Sequence, residues 1–235
     1  MELFTVDNFI ALITVTGLEI VLGIDNIIFI AILTSRLPPD KQSSTRKIGL
    51  VLAMFMRILL LLAIAWVVGL TTPLFHIFSH AVSGRDLIML GGGLFLIAKA
   101  TFEIHGVLEG AQGPIHVREH KSISSVLFQI VLIDIVFSLD SVITAVGMVG
   151  IIEIMVAAVV ISVGIMMIFA NPISVFILRH PTLKMLALSF LILIGFVLVA
   201  DGVGKHIEKG YIYFAMAFSF TVEMLNLKLR SHSKS

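Results

Sequence analysis

The chain has 235 residues, of which 58% are hydrophobic and only 13% are charged. A soluble domain carries roughly 25% charged residues, and a mean hydropathy of +1.10 exceeds what a compact soluble fold can bury. These values predict a polytopic membrane protein surrounded by the lipid bilayer. The formal net charge of +1 offers no basic face for nucleic acid. The absence of cysteine excludes disulfides, thiolate nucleophiles and thiolate metal sites.

Seven stretches predict membrane-spanning helices, because a span needs about 20 mostly apolar residues. They cover residues 9–33, 48–70, 86–104, 126–149, 151–178, 183–200 and 211–227. The boundary near Gly150 is the weakest, since the apolar run barely pauses there. In the third span, Gly91-Gly92-Gly93 predicts close packing with another helix. The predicted fold class is therefore all-α: one transmembrane domain over residues 1–235 with seven transmembrane helices.

Basic residues are distributed unevenly between the two sides of this arrangement. If the N-terminus is external, the cytoplasmic segments contain 11 of the 16 basic residues and the external segments contain three. Cytoplasmic loops are the ones enriched in Lys and Arg. The distribution therefore predicts an external N-terminus, which is periplasmic in a bacterium, and a cytoplasmic C-terminus. The remaining two, Arg57 and Lys99, lie within predicted spans.

A repeat relates the first span to the fourth. At a separation of 115 residues the aligned pairs are Glu19 with Asp134, Gly23 with Ser138, Asp25 with Asp140, and Asn26 with Ser141. Three spans per repeat is an odd number, so the second copy is expected to be inverted in the membrane. Inverted repeats around a polar site are typical of secondary transporters. This divides the domain into repeat one at about 8–105, repeat two at about 125–202, and a seventh helix at about 211–227.

Acidic residues within the spans are the main functional signal, since each costs about 2.5–3.5 kcal/mol on insertion scales. They are Glu19, Asp25, Asp134, Asp140 and Glu223, with Glu103 near the end of the third span. Against the first five stand two cations, Arg57 and Lys99, which leaves three negative charges. Such charges must be protonated, hydrated or neutralised by a bound cation. A hydrogen bond between helices is the alternative for any single acid, but two matched pairs favour a shared site.

The spacing of the acids predicts two layers. At 1.5 Å per residue, Glu19 and Asp140 lie about 3–4 Å outside the midplane, whereas Asp25 and Asp134 lie about 5–6 Å inside it. In a regular helix Glu19 and Asp25 point about 120° apart. Both can face one cavity only if the span bends or unwinds, which Gly23 would permit.

The predicted ligands are all oxygen atoms: the four motif carboxylates, the Asn26 amide, the Ser141 hydroxyl and freed main-chain carbonyls. Hard divalent ions such as Mn²⁺, Mg²⁺ and Ca²⁺ prefer these donors. Zinc and copper usually take imidazole or thiolate, and no histidine lies in a span core. The group His105, His116 and His120 is interpreted as part of a solvated cytoplasmic loop.

Two roles remain open for Arg57 and Lys99. They are either counter-ions that hold an empty site together or cations that replace a departing substrate. Glu223 is either a partner of one of them or hydrogen-bonded near the inner end of its span. Together with Glu103, these residues form a candidate counter-ion or coupling group.

Several segments resemble the signature of the TerC family of integral membrane proteins. They are the two acidic motifs, Arg46-Lys47, Met56-Arg57, the stretch 92–99, the stretch 180–191 and the stretch 209–216. The resemblance covers nearly the whole chain, which looks like the small YgdQ-like bacterial branch without appended cytoplasmic domains. It implies an inner-membrane location. Members resemble the wider LysE-type transporter group, and several are implicated in manganese export.

By this resemblance, the acidic positions of spans one and four would form a Mn²⁺ path. One departure is that Asn26 is matched by Ser141, so the two half-sites are not equivalent. We therefore expect a transporter, not an enzyme, that exports a divalent ion, with Mn²⁺ the leading candidate. The mechanism would be alternating access, with protons as a candidate counter-substrate.

The alternative is a membrane chaperone or assembly factor that supports the metallation or maturation of exported proteins. The short loops and the lack of a soluble binding domain disfavour it. An intramembrane aspartyl enzyme is disfavoured because no Gly-x-Gly-Asp or His-Glu-x-x-His motif occurs. No prosthetic group is expected. The oligomeric state is open, with a homo-oligomer among the options.

Overall fold

The computed structural model describes residues 5–77, 80–109, 122–149 and 151–232. This part of the chain is mostly helical, with eight α-helices and two short β-strands. In order they are α1 (Val6–Thr34), α2 (Pro39–Leu62), α3 (Ile64–Gly69), β1 (Pro73–Ile77), β2 (His80–Ser83), α4 (Gly84–Glu109), α5 (Ile123–Val149), α6 (Ile152–Arg179), α7 (Pro181–Gly202) and α8 (Lys209–His232). Pro39 and Pro181 begin α2 and α7, at positions where a helix needs no backbone N–H donor.

Six described helices are long and apolar enough to cross a membrane by length and composition: α1, α4, α5, α6, α7 and α8. Each contains most of one predicted span. The weak boundary falls between α5 and α6 as expected, and Gly150 itself lies outside the described residues. The sequence therefore predicts these six elements correctly to within a few residues.

The predicted second span, 48–70, is the exception. It divides at Ala63, whose backbone angles (φ −89°, ψ 22°) end α2 before the six-residue α3 begins. In addition, α2 carries Arg46, Lys47 and Arg57, and these charges lower its apolar character. A total of seven spanning helices therefore stays a prediction.

The all-α prediction is wrong in one short segment, which forms a β-hairpin between α3 and α4. The strands β1 and β2 pair antiparallel, with Phe75 opposite Val82. Ser83 then caps α4, because its Oγ accepts a hydrogen bond from the Asp86 backbone N–H at 3.3 Å, while its own backbone N–H donates to Asp86 Oδ2 at 2.9 Å. Strands of five and four residues contain too few alternating positions for a sequence pattern to identify them.

Facing glycines allow α4 and α7 to pack closely against each other. A Cβ atom at Gly93 would lie 2.6 Å from the Gly195 carbonyl oxygen, and one at Gly195 would lie 2.9 Å from the Gly93 carbonyl oxygen. Gly92 allows α5 to approach, since a Cβ there would lie 2.5 Å from Val136. The predicted role of this glycine run is confirmed at two positions. At Gly91 a Cβ would meet nothing within 4 Å.

The remaining helices complete a bundle with an apolar outer surface. The main partner of α1 is α6, α2 packs on α5 and α6, and α8 packs mainly on α7. Large apolar side chains on the outside include Phe128, Ile168 and Phe214, which are 68%, 69% and 75% exposed. Such a surface is unfavourable in water and suits contact with lipid. Several charged side chains lie inside the bundle, and they form the candidate site.

Candidate functional site

A buried ionic cluster joins α1, α2 and α5, and we call it the central cluster. Arg57 of α2 forms salt bridges with Glu19 of α1 and, over 3.1 Å, with Asp134 of α5. Each of the three residues is only 3% exposed. With all groups ionised, two carboxylates and one guanidinium leave a net charge of −1. This charge lies between helices predicted to cross the membrane.

Ser138 and Asn26 complete the central cluster. Ser138 Oγ accepts a hydrogen bond from Arg57 Nε at 3.0 Å and donates one to Asp134 Oδ2 at 3.1 Å. Asn26 Nδ2 donates to Asp134 Oδ1, also at 3.1 Å. Arg57 thus contacts three different side chains, one through each of its nitrogen atoms. Both carboxylate oxygens of Asp134 accept hydrogen bonds.

Helical periodicity explains why these side chains meet. Glu19 and Asn26 are seven residues apart, about 700° along a regular helix, so they share one face of α1. Asp134 and Ser138 are four residues apart and share one face of α5. The six-residue spacing between the acids predicted an unwound helix. The seven-residue spacing from Glu19 to Asn26 is the signal that matches the observed contacts.

The expected unwinding is wrong, because α1 and α5 are helical through Gly23 and Ser138. Gly23 serves packing instead, since a Cβ there would collide with the Met166 thioether of α6. The Ser138 hydroxyl binds side chains rather than a freed carbonyl. Ser141 Oγ donates to the Ser138 carbonyl at 3.2 Å, so this predicted ligand is used within α5.

Acids that the sequence assigned to two different layers share one cation in the structure. We expected Glu19 and Asp134 at different depths, yet both bind Arg57. A guanidinium reaches both because its donors point in different directions from one planar group. Asp25 and Asp140 lie in α1 and α5, but their side chains are outside the described part of the structure. Their roles therefore stay predictions.

Lys99 and Glu103 belong to a second cluster with Arg36, which follows α1. Glu103 accepts hydrogen bonds from Arg36 Nε at 2.9 Å and Nη2 at 2.6 Å. Lys99 Nζ lies 3.4 Å from Glu103 Oε1, one helical turn away. Glu103 is 4% exposed. The sequence did not reveal Arg36 as a partner, since 67 residues separate it from Glu103 and no motif connects them.

The other predicted site residues contribute less to a described site. Glu223 of α8 accepts a hydrogen bond from Asn226 at 3.4 Å. His105 pairs with an acid one turn away at 3.1 Å, whereas His116 and His120 lie outside the described residues. Across the described ranges, no group of three or more His, Asp or Glu side chains is placed to hold a metal ion. The described acidic ligand candidates are therefore the two carboxylates of the central cluster.

A small cavity adjoins the central cluster. Its volume is about 10 Å³, and its polar lining consists of Asn26, Arg57 and Asp134. Apolar side chains of α1, α2, α5 and α6 form the remaining wall. This volume is at the lower limit for one water molecule. A cation at this position would meet amide and carboxylate oxygens if the guanidinium moved away.

Similar proteins place the chain among bacterial membrane proteins. The profile of the "Integral membrane protein TerC family" matches residues 4–235. A "UPF0053 protein" of Haemophilus influenzae is 53% identical over 231 residues, which cover 95% of each chain. The "UPF0053 inner membrane protein YgdQ" of Escherichia coli K12 is 56% identical over 218 residues, covering 93% of this chain and 92% of that protein. YoaE of the same strain is 51% identical over 92% of this chain but only 42% of its own length. No solved structure matches.

These similarities cover both acidic motifs and nearly all of the chain, so the resemblance found in the sequence is confirmed. The inner-membrane relatives and the apolar helices support a multi-pass location in the inner membrane. The chain belongs to the TerC family of integral membrane proteins.

Proposed function

We propose that this protein is a membrane transporter that exports a divalent metal ion, with Mn²⁺ as its substrate. One observation carries the proposal: the first acids of two matched motifs, Glu19 and Asp134, meet in a buried cluster between predicted spans. Buried acids in membrane helices are costly, and a functional site such as an ion pathway is the default interpretation of them. The motifs lie 115 residues apart in sequence, so chain proximity alone does not bring the acids together.

The chemistry of the available donors supports a hard ion. The central cluster offers carboxylate oxygens from Glu19 and Asp134 together with the Asn26 amide and the Ser138 hydroxyl. Mn²⁺ and Mg²⁺ favour such oxygen ligands, whereas zinc favours imidazole or thiolate. Asp25 and Asp140 would supply two further carboxylates. The substrate path would thus run between the helices that carry the two motifs, α1 and α5.

The packing of the helices supports the inverted repeat in this proposal. Under the repeat, α1 corresponds to α5, α2 to α6, and α4 to α7. If the two halves are related by symmetry, a contact between α1 and α6 requires an equivalent contact between α5 and α2. Both pairs of helices pack extensively. The α4–α7 pair is converted into itself. Rocking of two such halves around a central site would give alternating access, and protons are the proposed counter-substrate.

Transport by purified protein in lipid vesicles is the direct test. We expect Mn²⁺ to cross vesicles that contain the protein faster than protein-free vesicles, and Zn²⁺ to be a poorer substrate in a panel with Mg²⁺ and Ca²⁺. A lower external pH, on the side that receives the ion, should accelerate efflux of internal Mn²⁺ if protons are exchanged. Faster Zn²⁺ than Mn²⁺ transport would contradict the hard-ion argument. Absence of any ion flux, with defects in exported proteins in cells that lack the gene, would favour the assembly factor instead.

A further inference from the structure

Arg57 occupies both of the acids that we propose as ion ligands. Two of its nitrogen atoms bind Glu19 and Asp134, and the third binds Ser138. The side chain is almost completely buried, so water does not compete for these contacts. The guanidinium therefore stands beside the same oxygen atoms that a transported cation would use.

A divalent ion and this guanidinium would compete for the central cluster. Both are positive, and repulsion between them is weakly screened in a buried site. The adjoining cavity of about 10 Å³ has room for about one water-sized guest. An ion that entered it could gain carboxylate ligands only as the head group of Arg57 left at least one acid.

The opposite difficulty arises when the ion departs. Glu19 and Asp134 would then remain buried with no cation beside them, and buried unpaired carboxylates are costly. Return of Arg57 to both acids removes that cost. An ion-free carrier with Arg57 in place carries a net charge of −1 in the central cluster rather than −2.

We propose that Arg57 is a tethered substitute for the transported cation: it binds Glu19 and Asp134 in the ion-free carrier and releases them when the ion binds. The proposal rests on the proposed cation transport. Two roles were open for Arg57: a counter-ion that holds an empty site together, or a cation that replaces a departing substrate. The proposal assigns the second role, because that role makes Arg57 necessary for the return of the empty carrier. Lys99 does not share this role, since it pairs with Glu103 in the other cluster.

The test separates net efflux from exchange in vesicles that contain the purified full-length protein. Net efflux requires return of the carrier without manganese, whereas exchange of external Mn²⁺ for internal radioactive manganese does not. We expect Arg57→Gln to lower net efflux by about tenfold or more, since a barrier increase of about 1.4 kcal/mol is sufficient, and to leave exchange largely intact. Arg179→Gln removes an exposed cation at the end of α6 and should alter neither mode.

Arg57→Lys provides a second measurement, because lysine keeps the charge but lacks the planar fork of donors. We expect it to slow net efflux more than exchange, but less severely than Arg57→Gln does. Arg57→Gln can fail to fold, because it removes one partner of a buried ionic cluster. In that case the comparison of net efflux with exchange in Arg57→Lys tests the proposal. Equal loss of both modes in a folded variant, or unchanged net efflux, would overturn the proposal. If the parent protein shows neither mode, the proposed transport function itself is contradicted.

Discussion

The two acids of the central cluster differ in the number of side chains that bind them. Asp134 interacts with Arg57, Asn26 and Ser138, whereas the contact described for Glu19 is with Arg57. Ser138 is fully buried and connects the guanidinium to Asp134. A hydroxyl in this position can do so because it donates and accepts at once. The aligned residue in the first motif, Gly23, has no such group and allows α6 to approach instead.

We predict that Ser138→Ala destabilises the folded protein by about 1–3 kcal/mol, because it leaves Arg57 Nε and Asp134 Oδ2 without this buried partner. Ser162→Ala is the matched control, since Ser162 is equally buried but donates only to the carbonyl of Val159 at 2.9 Å. Unfolding of both variants in the same detergent measures the difference. Equal stability of the two variants would show that the Ser138 contacts contribute little.

Asp25→Asn and Asp140→Asn each remove one charge while size and hydrogen bonding are kept. If these acids are ligands, each loss should cost a few kcal/mol, comparable with a charge-assisted hydrogen bond at about 1.5–3 kcal/mol. That corresponds to roughly a ten- to hundredfold loss of Mn²⁺ affinity. Manganese accumulation in cells that express each variant, together with its membrane level, provides the measurement.

Asp40→Asn is the control for these two variants, because the Asp40 side chain is 69% exposed at the start of α2. It should export manganese as the parent does. Normal export by both Asp25→Asn and Asp140→Asn, at normal protein levels, would show that the two acids are structural and that the predicted ligand set is wrong.

Elements with long apolar runs could be predicted from the sequence, and short or interrupted ones could not. The six helices with long apolar windows follow directly from composition. The break at Ala63 lies within an apolar run, so no polar or Gly-Pro signal marks it. For the site, the paired acids were visible as a repeat, but the partnership of Arg57 with Glu19 and Asp134 depends on how three helices pack. No local pattern encodes that contact.

At the α4–α7 contact we predict that Gly93→Ala destabilises the protein by about 1–3 kcal/mol, the usual cost of overpacking. The added methyl would lie 2.6 Å from a backbone oxygen of Gly195, and a backbone atom cannot move aside without separating the helices. Gly91→Ala is the control, since a Cβ there meets nothing within 4 Å. It should be neutral or stabilising by up to about 1 kcal/mol, given the helix propensity of alanine.

Thermal unfolding of the two glycine variants in one detergent provides the comparison. Because the substitution is chemically the same, helix propensity contributes equally to both. The difference between them therefore reports the close approach of α4 to α7. If Gly93→Ala were as stable as Gly91→Ala, the glycines would not set the distance between these helices.

The orientation of the whole molecule follows from charge and repeat together. The excess of basic residues predicts one orientation, and an inverted repeat with three spans per half requires that the two halves enter the membrane from opposite sides. The two arguments are linked through α2 and α3. If these two helices together cross the membrane, the α1–α2 loop and the α7–α8 loop lie on opposite sides. If they do not cross it, the two loops lie on the same side. The position of these loops therefore tests the number of spans as well as the direction.

Because the chain contains no cysteine, single cysteines can report this position without further changes. We predict that Lys205→Cys, in the exposed α7–α8 loop, reacts with a membrane-impermeant maleimide in cells whose outer membrane has been permeabilised and whose inner membrane is intact. Lys41→Cys, whose parent side chain is 57% exposed near the start of α2, should react only after the inner membrane is opened. A reporter fused after Ser235 should behave as cytoplasmic. Labelling of both cysteines from the same side would contradict the seven-span topology, and reversed labelling would contradict the orientation, because the basic loops would then face outward.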